Sequence, residues 1–158
     1  MNTIDYFKLQ AKNLHRDFRT KKPVFDEAIG DFLYEYEPIY FDVNGIVCDF
    51  DLDEDNFSLM NAQHVIAQIA GFEKWTELLR ASPSELELAK LLFDNQDIIH
   101  VITWIDYISE VEEMNQTKYD SESKLGIYKE QFLESRIFED PFPDYLLKNN
   151  ISRESSAG

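Results

Sequence analysis

Residues 58–79, SLMNAQHVIAQIAGFEKWTELL, carry the clearest folding signal in the chain. Ser58 favours the start of a helix, because its hydroxyl can accept a hydrogen bond from a free backbone N–H of the first turn. Apolar residues then recur at spacings of three and four, which predicts one buried stripe: Ala62, Val65, Ile66 and Ile69. Gly71 stands where helices commonly end in a left-handed residue. A short second helix, starting near Trp75, is predicted to follow.

The segments on either side are also predicted to be helical. An N-terminal helix begins at Asn2 or Thr3 and ends before Pro23, and the capping box that starts at Ser82 opens a helix to about Phe93. Two more helices are expected, one over 98–114 and one after Asp120 or Ser121. The residues predicted to face the core include Phe7, Leu14, Phe18, Leu92 and Phe93, then Ile98, Val101, Ile102, Ile105, Ile108 and Val111, and finally Leu125, Tyr128 and Phe132.

A long basic-free stretch separates the first helix from the others. No lysine or arginine occurs between Lys22 and Lys74, and these 51 residues contain twelve carboxylates and nine aromatic rings. Residues 24–57, called here the acidic-aromatic segment, show no sustained helical or alternating period. The Asn44-Gly45 pair favours a tight turn. A small β-hairpin that pairs residues 40–43 with 46–48 is therefore one option for this segment.

These patterns predict a mainly α fold, a compact bundle of about five or six helices onto which the acidic-aromatic segment packs. Residues 1–140 are expected to form a single helical domain, because 158 residues suit one domain with its own core. Residues 141–158 are expected to be a partly disordered C-terminal tail, because they contain prolines and end in a polar sequence.

Composition narrows the classes of function. The single cysteine, Cys48, excludes an intrachain disulfide and is expected to be buried, and this cysteine usage favours a reducing, cytoplasmic location. The formal net charge of −16 argues against nucleic acid as a partner and against an anionic membrane surface. No apolar run approaches the roughly 20 residues that a membrane span needs.

Residues 58–79 also resemble a known family. The positions that carry the resemblance are Ala62-Gln63, Val65-Ile66, Ala67, Gly71-Phe72, Trp75 and Leu78. They are similar to a small bacterial helical module that occurs ahead of ankyrin-repeat regions and in glyoxalase-related proteins. The leading helix of such modules often reads like residues 10–14 here, QAKNL. The resemblance covers about a quarter of the chain. It implies an architecture and assigns no catalytic role, and residues 80–158 resemble neither neighbouring domain.

One stretch has the character of a metal site. Asp49, Asp51, Asp53 and Asp55 alternate along the chain and offer the hard oxygen ligands that calcium or magnesium prefers. A calcium-binding loop that starts at Asp51, however, would have Ala62 where the bidentate glutamate belongs. The alternative is a solvated acidic loop that favours the start of the Ser58 helix. No other cofactor is expected.

The acidic-aromatic segment also contains the candidate binding surface, which comprises Tyr34, Glu35, Tyr36, Glu37, Tyr40 and Asp42. Aromatic rings mixed with negative charge suit the recognition of a basic protein surface. The leading hypothesis is a protein-interaction module with a basic partner. A sharper version makes it an immunity protein or an antitoxin-like inhibitor. The alternatives are a metal-dependent enzyme that uses the aspartate cluster, and a structural module whose acidic face is simply solvated.

Overall fold

The computed structural model describes residues 1–135 and 144–147, and within them the chain is mainly helical, which confirms the predicted fold class. Seven α-helices and one antiparallel hairpin are present in this part of the chain. The helices are α1 (Thr3–Phe18), α2 (Val43–Phe50), α3 (Leu59–Ile69), α4 (Trp75–Leu79), α5 (Pro83–Asp94), α6 (Val101–Asn115) and α7 (Ser121–Tyr128). The strands are β1 (Lys22–Asp26) and β2 (Asp31–Glu35).

Local capping sets the helix boundaries. The Ser58 hydroxyl accepts the backbone N–H of Asn61 (3.2 Å), and the Asn61 amide oxygen accepts the N–H of Ser58 (2.9 Å). Ser82 opens α5 with the same reciprocal arrangement. Gly71 follows α3 with φ of 100°, a conformation that costs glycine little. The predicted starts of both helices are therefore confirmed.

The helices enclose two clusters of buried side chains. The first lies between α1, α2, α3, α4 and α5, where the rings of Phe7 and Phe93 meet edge to face with centroids 5.6 Å apart. The second lies between α5, α6 and α7 and centres on Trp104, whose ring meets those of Tyr128 and Phe132 edge to face. Because α5 contributes to both clusters, it joins the two halves of the described fold.

The predicted inward face of α6 is wrong at two positions. Ile102 and Ile105 are 62% and 46% exposed. The buried positions of this helix are Val101, Trp104, Ile108 and Glu112, which also follow a spacing of three and four. Two stripes with this spacing overlap on α6, and the stripe that contains the large indole ring of Trp104 packs inward.

A small hairpin in the acidic-aromatic segment is confirmed, but its predicted position at residues 40–48 is wrong, because residues 43–50 form α2. The Asp42 carboxylate accepts the backbone N–H of Gly45 (3.2 Å), so the Asn44-Gly45 pair lies inside a capped first turn. The hairpin of this protein lies earlier, in β1 and β2. Its turn contains Gly30 at φ of 68°, whose N–H donates to the Asp26 carbonyl (2.9 Å).

Residues 144–147 pack against the core, although they belong to the predicted tail. Tyr145 and Leu146 are each 5% exposed. The Asp42 N–H donates to the Tyr145 carbonyl (2.9 Å), and the Leu147 N–H donates to the Tyr40 carbonyl (3.1 Å). The rest of the predicted tail lies outside the described residues. Cys48 differs from its prediction as well, because it is exposed.

Candidate functional site

The β1–β2 hairpin exposes an unusual amount of apolar surface. Eight of its ten strand residues are exposed, and the other two are only half-buried. Phe25 and Phe32 face each other across the hairpin and are 52% and 62% exposed. Their rings meet edge to face with centroids 5.3 Å apart. The neighbouring exposed apolar side chains are Val24, Ile29 and Leu33.

Carboxylates lie close to these apolar residues along the chain. The hairpin and its turn contain Asp26, Glu27, Asp31 and Glu35, with Lys22 as the one basic side chain. Lys22 is paired with Glu37 at 3.0 Å. This is the one ion pair, within residues 1–135 and 144–147, that joins the basic-free stretch to a basic side chain. Among the described residues, Asp26, Glu27, Asp31 and Glu35 form no ion pair, so the hairpin combines exposed rings with unpaired negative charge.

Two of the predicted binding residues anchor the hairpin instead of facing solvent freely. The Tyr34 hydroxyl donates to Asp55, and this hydrogen bond is the main reason that the pKa of Tyr34 is raised. The Tyr36 hydroxyl donates to Glu54 (2.8 Å), while burial is the main cause of its raised pKa. Lys21 lies 4.8 Å from the centre of the Tyr34 ring. Tyr34 in β2 and Tyr36 just after it thus tie the end of the hairpin to the acidic turn that precedes α3.

The other predicted binding residues are divided between surface and scaffold. Glu35 and Glu37 are exposed next to the hairpin. Tyr40 is 41% exposed, with the Arg16 guanidinium carbon 6.0 Å from its ring centre. Asp42 caps α2 and so has a structural role. The structure therefore brings the predicted residues near one another along residues 34–42, but the most exposed rings are Phe25 and Phe32.

A buried carboxylate holds the chain that leads from the hairpin to α2. The fully buried Asp17 accepts hydrogen bonds from the backbone N–H groups of Ile39 (3.1 Å), Tyr40 (2.9 Å) and Phe41 (2.9 Å). The Arg16 guanidinium pairs with the same carboxylate at 2.9 Å. Sequence reasoning missed this residue, although its position three residues after Leu14 places it on the buried face of α1.

The predicted metal ligands are not assembled into a site. Asp49 accepts the Tyr145 hydroxyl, Asp53 caps the turn over Glu54–Asn56, and Asp55 accepts the Tyr34 hydroxyl. Asp51 ends α2 in the left-handed conformation, with φ of 50°. No group of three or more histidine, cysteine or acidic side chains is placed to hold a metal ion within the part of the chain that the structure describes.

A groove of about 540 Å³ lies between α2, the end of α3 and the start of α6. Phe50, Phe72, Ile102 and Ile105 form much of its apolar wall. Its polar wall contains Asp49, Glu73, His100 and Tyr145. The two isoleucines that the sequence placed in the core are thus exposed because they line this groove.

A chain of hydrogen bonds orders the polar wall of the groove. The Tyr145 hydroxyl donates to Asp49 Oδ2 at 2.6 Å, and His100 Nε2 lies 3.4 Å from the same hydroxyl. His100 Nδ1 accepts the backbone N–H of Ile102 (3.2 Å), which leaves the proton of the neutral imidazole on Nε2. Burial, followed by the bond to Asp49, raises the pKa of Tyr145. No sequence pattern signals this cluster, because its members are 45 and 96 residues from Tyr145.

Within the described residues, no helix is both long and apolar enough to cross a membrane. Comparison of the chain with models of protein families, with curated proteins and with solved structures finds no match. The resemblance of residues 58–79 to a bacterial helical module stays a prediction, and the function proposed below rests on geometry and charge.

Proposed function

We propose that this protein is an interaction module that binds a basic protein through its β1–β2 hairpin and the adjoining residues 36–40. The observation that carries the proposal is the exposed pair Phe25 and Phe32, on a hairpin that is rich in carboxylates and whose strand residues the helical core leaves mostly exposed. Tyr34 and Tyr36 hold the hairpin through their hydrogen bonds to Asp55 and Glu54, while the two phenylalanines supply exposed contact area.

The exposed rings support binding because they are costly to leave in water. A two-stranded hairpin is only marginally stable by itself, and large side chains on it gain little from facing solvent. Seven of the large apolar side chains that are exposed in the described residues lie between Val24 and Tyr40. Exposed apolar surface beyond scattered single residues is typical of protein interaction sites. Aromatic rings are also enriched among the residues that contribute most to binding.

The charge of the hairpin supports a basic partner. Asp26 and Asp31 face each other directly across the last rung before the turn. Like charges in such a pair destabilise a hairpin. A lysine or arginine of a partner placed between these carboxylates would remove that repulsion. Complementary charge would also raise the association rate and disfavour acidic competitors.

An inhibitory role, of the immunity-protein or antitoxin type, is the sharper form of the same proposal. It requires that the basic partner have an activity that the hairpin blocks. We place the interaction in the cytoplasm, where an exposed thiol such as Cys48 stays reduced.

Capture from extracts of the native host tests the proposal, with the whole chain immobilised. Phe25→Ser combined with Phe32→Ser removes both exposed rings and leaves the helical core untouched. The matched control combines Met60→Ser with Met114→Ser, because these methionines are 76% and 82% exposed on α3 and α6. A supporting result is a basic protein that is retained by the wild-type chain and by the control, released by salt, and lost with the phenylalanine double variant.

Two results would overturn the proposal. One is a partner that the phenylalanine double variant retains as well as the wild-type chain does. The other is the absence of any salt-sensitive basic protein among the species that wild type and control retain in common. Addition of the chain to the purified partner then tests inhibition, by measuring the partner's own activity.

A further inference from the structure

We propose that the groove between α2 and α6 is a binding site for a small organic cation with an aromatic or branched aliphatic body. This site is separate from the hairpin and does not depend on the proposed interaction with a basic protein. Its volume, about 540 Å³, lies within the range of small-molecule sites. Its two walls, one apolar and one acidic, define the chemistry of the ligand.

The apolar wall indicates that the ligand has a hydrophobic body. Ile102 and Ile105 are exposed although they lie beside the buried stripe of α6. Phe50 and Phe72 border the same groove from α2 and from the loop after α3. A ligand that covered these side chains would remove apolar surface from water, which is the main source of affinity for a small molecule.

The polar wall indicates that the ligand is positively charged. Asp49 and Glu73 both line the groove, and no lysine or arginine lines it among the described residues. The rings of Phe50 and Tyr145 lie 5.8 Å apart at the same end. Ring faces attract organic cations, and a carboxylate beside them adds a charge-assisted hydrogen bond. An anionic ligand would meet only repulsion from these carboxylates.

Asp49 is positioned to make that hydrogen bond. One of its oxygens accepts the Tyr145 hydroxyl at 2.6 Å, and His100 Nε2 lies 3.4 Å from that hydroxyl. The first oxygen fixes the orientation of the carboxylate, and the second has no hydrogen-bond partner among residues 1–135 and 144–147. Asp49 lies on the exposed side of α2, so the groove offers a held acceptor at an accessible place.

Titration of the full chain with three probes tests this assignment, followed by nuclear magnetic resonance of the backbone amides. The probes are 2-phenylethylammonium, its neutral analogue 2-phenylethanol and the anion 3-phenylpropionate, which share one body and differ in charge. We expect the ammonium compound to bind with Kd on the order of 1 mM or tighter, a modest value for so few atoms. The shifted amides are expected to be those of residues 71–73 and 100–105.

Matched variants measure the contribution of the Asp49 charge and that of the apolar wall separately. Asp49→Asn is expected to weaken the ammonium probe about tenfold, because a charged hydrogen bond is lost. Asp51→Asn makes the same change of charge two residues away and outside the groove, so it is expected to bind like the wild type. Ile102→Ser combined with Ile105→Ser is expected to weaken the ammonium compound and the alcohol alike, whereas Met114→Ser on the same helix is not.

Three outcomes would overturn the assignment: equal affinity for all three probes, an Asp49→Asn variant that binds the ammonium compound normally, or no shifts in the groove at about 10 mM probe. None of them bears on the hairpin, because Asp49→Asn leaves Phe25 and Phe32 intact. The two proposals therefore stand or fail separately.

Discussion

Asp17 shows how a single residue connects the hairpin to the helical core. Its carboxylate accepts three successive backbone N–H groups of residues 39–41 from a fully buried position on α1. Those residues have no strand or helix to satisfy their own donors. The hairpin and its adjoining surface therefore depend on a carboxylate that never reaches solvent.

Replacement of Asp17 tests this role. Asp17→Ala leaves the buried donors without an acceptor, and we expect the free energy of unfolding to fall by about 3 kcal/mol. Asp17→Asn retains one acceptor oxygen, so it should lower the free energy of unfolding by less than Asp17→Ala does. Urea unfolding followed by circular dichroism measures both values. Equal stability of Asp17→Ala and wild type would mean that the chain over residues 39–41 is held by other contacts.

The lowered pKa values of two capping carboxylates make part of the stability dependent on pH. The Asn56 side chain lowers the pKa of Asp53, and the backbone N–H of Ser123 lowers the pKa of Asp120, both from the ordinary 3.8. The unfolded chain then binds more protons than the folded chain in the range below 3.8. The stabilisation that these two ionised caps provide is complete above pH 3.8. It is lost as the pH falls through their lower pKa values in the folded chain.

We therefore expect the contribution of these two caps to the melting temperature to be lost as the pH falls below about 4. A chain with both Asp53→Ala and Asp120→Ala should start from a lower melting temperature and lose less of it in acid. Thermal unfolding between about pH 2.5 and pH 6 compares the two. Identical acid slopes would show that these caps do not contribute to the pH dependence.

At the scale of elements, the sequence predicts what local chemistry determines and fails where distant contacts decide. The starts of α3 and α5 follow from Ser58 and Ser82, whose capping partners lie three residues away. The buried face of α6 is set by the packing of other elements around Trp104. The spacing of the isoleucines therefore predicts the wrong face at Ile102 and Ile105. The hairpin position predicted from Asn44-Gly45, at residues 40–48, is wrong because the Asp42 carboxylate caps a helix there. Asn44-Gly45 therefore lies in the first turn of α2.

The two candidate sites differ in the same respect: one can be predicted from the sequence and the other cannot. Acidic and aromatic composition identified the region of the hairpin surface, since composition is visible in the sequence. The groove could not be predicted from the sequence, because Asp49, His100 and Tyr145 come from three distant parts of the chain and meet only when the core forms.

Two glycines in the helical region allow a matched test of element stability. Gly126 lies inside α7 with open space where a side-chain carbon would be added, whereas Gly71 follows α3 with φ of 100°. Gly126→Ala should raise the free energy of unfolding by about 0.5–1 kcal/mol, because it restricts the unfolded chain and favours the helix. Gly71→Ala should lower it by about 1 kcal/mol or more through backbone strain.

Urea denaturation compares the two variants with the wild type. For Gly71→Ala the loss is attributed to strain and not to a clash, because the added carbon would lie 3.5 Å from the nearest atom of Val101. Stabilisation by Gly71→Ala would contradict the left-handed end assigned to α3.

At the scale of the whole molecule, the net charge of −16 dominates the electrostatics. Few of the acidic side chains are offset by the five ion pairs of the described residues, and two of these pairs, Lys22–Glu37 and Lys129–Glu87, are exposed at both ends and therefore weak. Repulsion among the remaining carboxylates opposes the compact state, so screening is expected to help folding.

The melting temperature should therefore rise between about 10 mM and 200 mM sodium chloride, as the screening length falls from about 30 Å to below 10 Å. Calcium or magnesium chloride at matched ionic strength should add little, because no group of three or more possible ligands is placed to hold a metal ion within the described residues. A saturating rise at micromolar calcium would favour the metal-site alternative, since a ligand that binds only the folded state stabilises it.

The most direct measurement of the central proposal is the affinity of the hairpin for the basic partner that the capture experiment identifies. Isothermal titration compares the wild type with the Phe25→Ser, Phe32→Ser double variant and the Met60→Ser, Met114→Ser control, each at low and high salt. We predict that loss of the two phenylalanines raises Kd at least tenfold, or about 1.4 kcal/mol, that the control changes Kd less than about twofold, and that salt weakens binding throughout. Equal affinities for the two double variants would contradict the assignment of the hairpin as the binding surface.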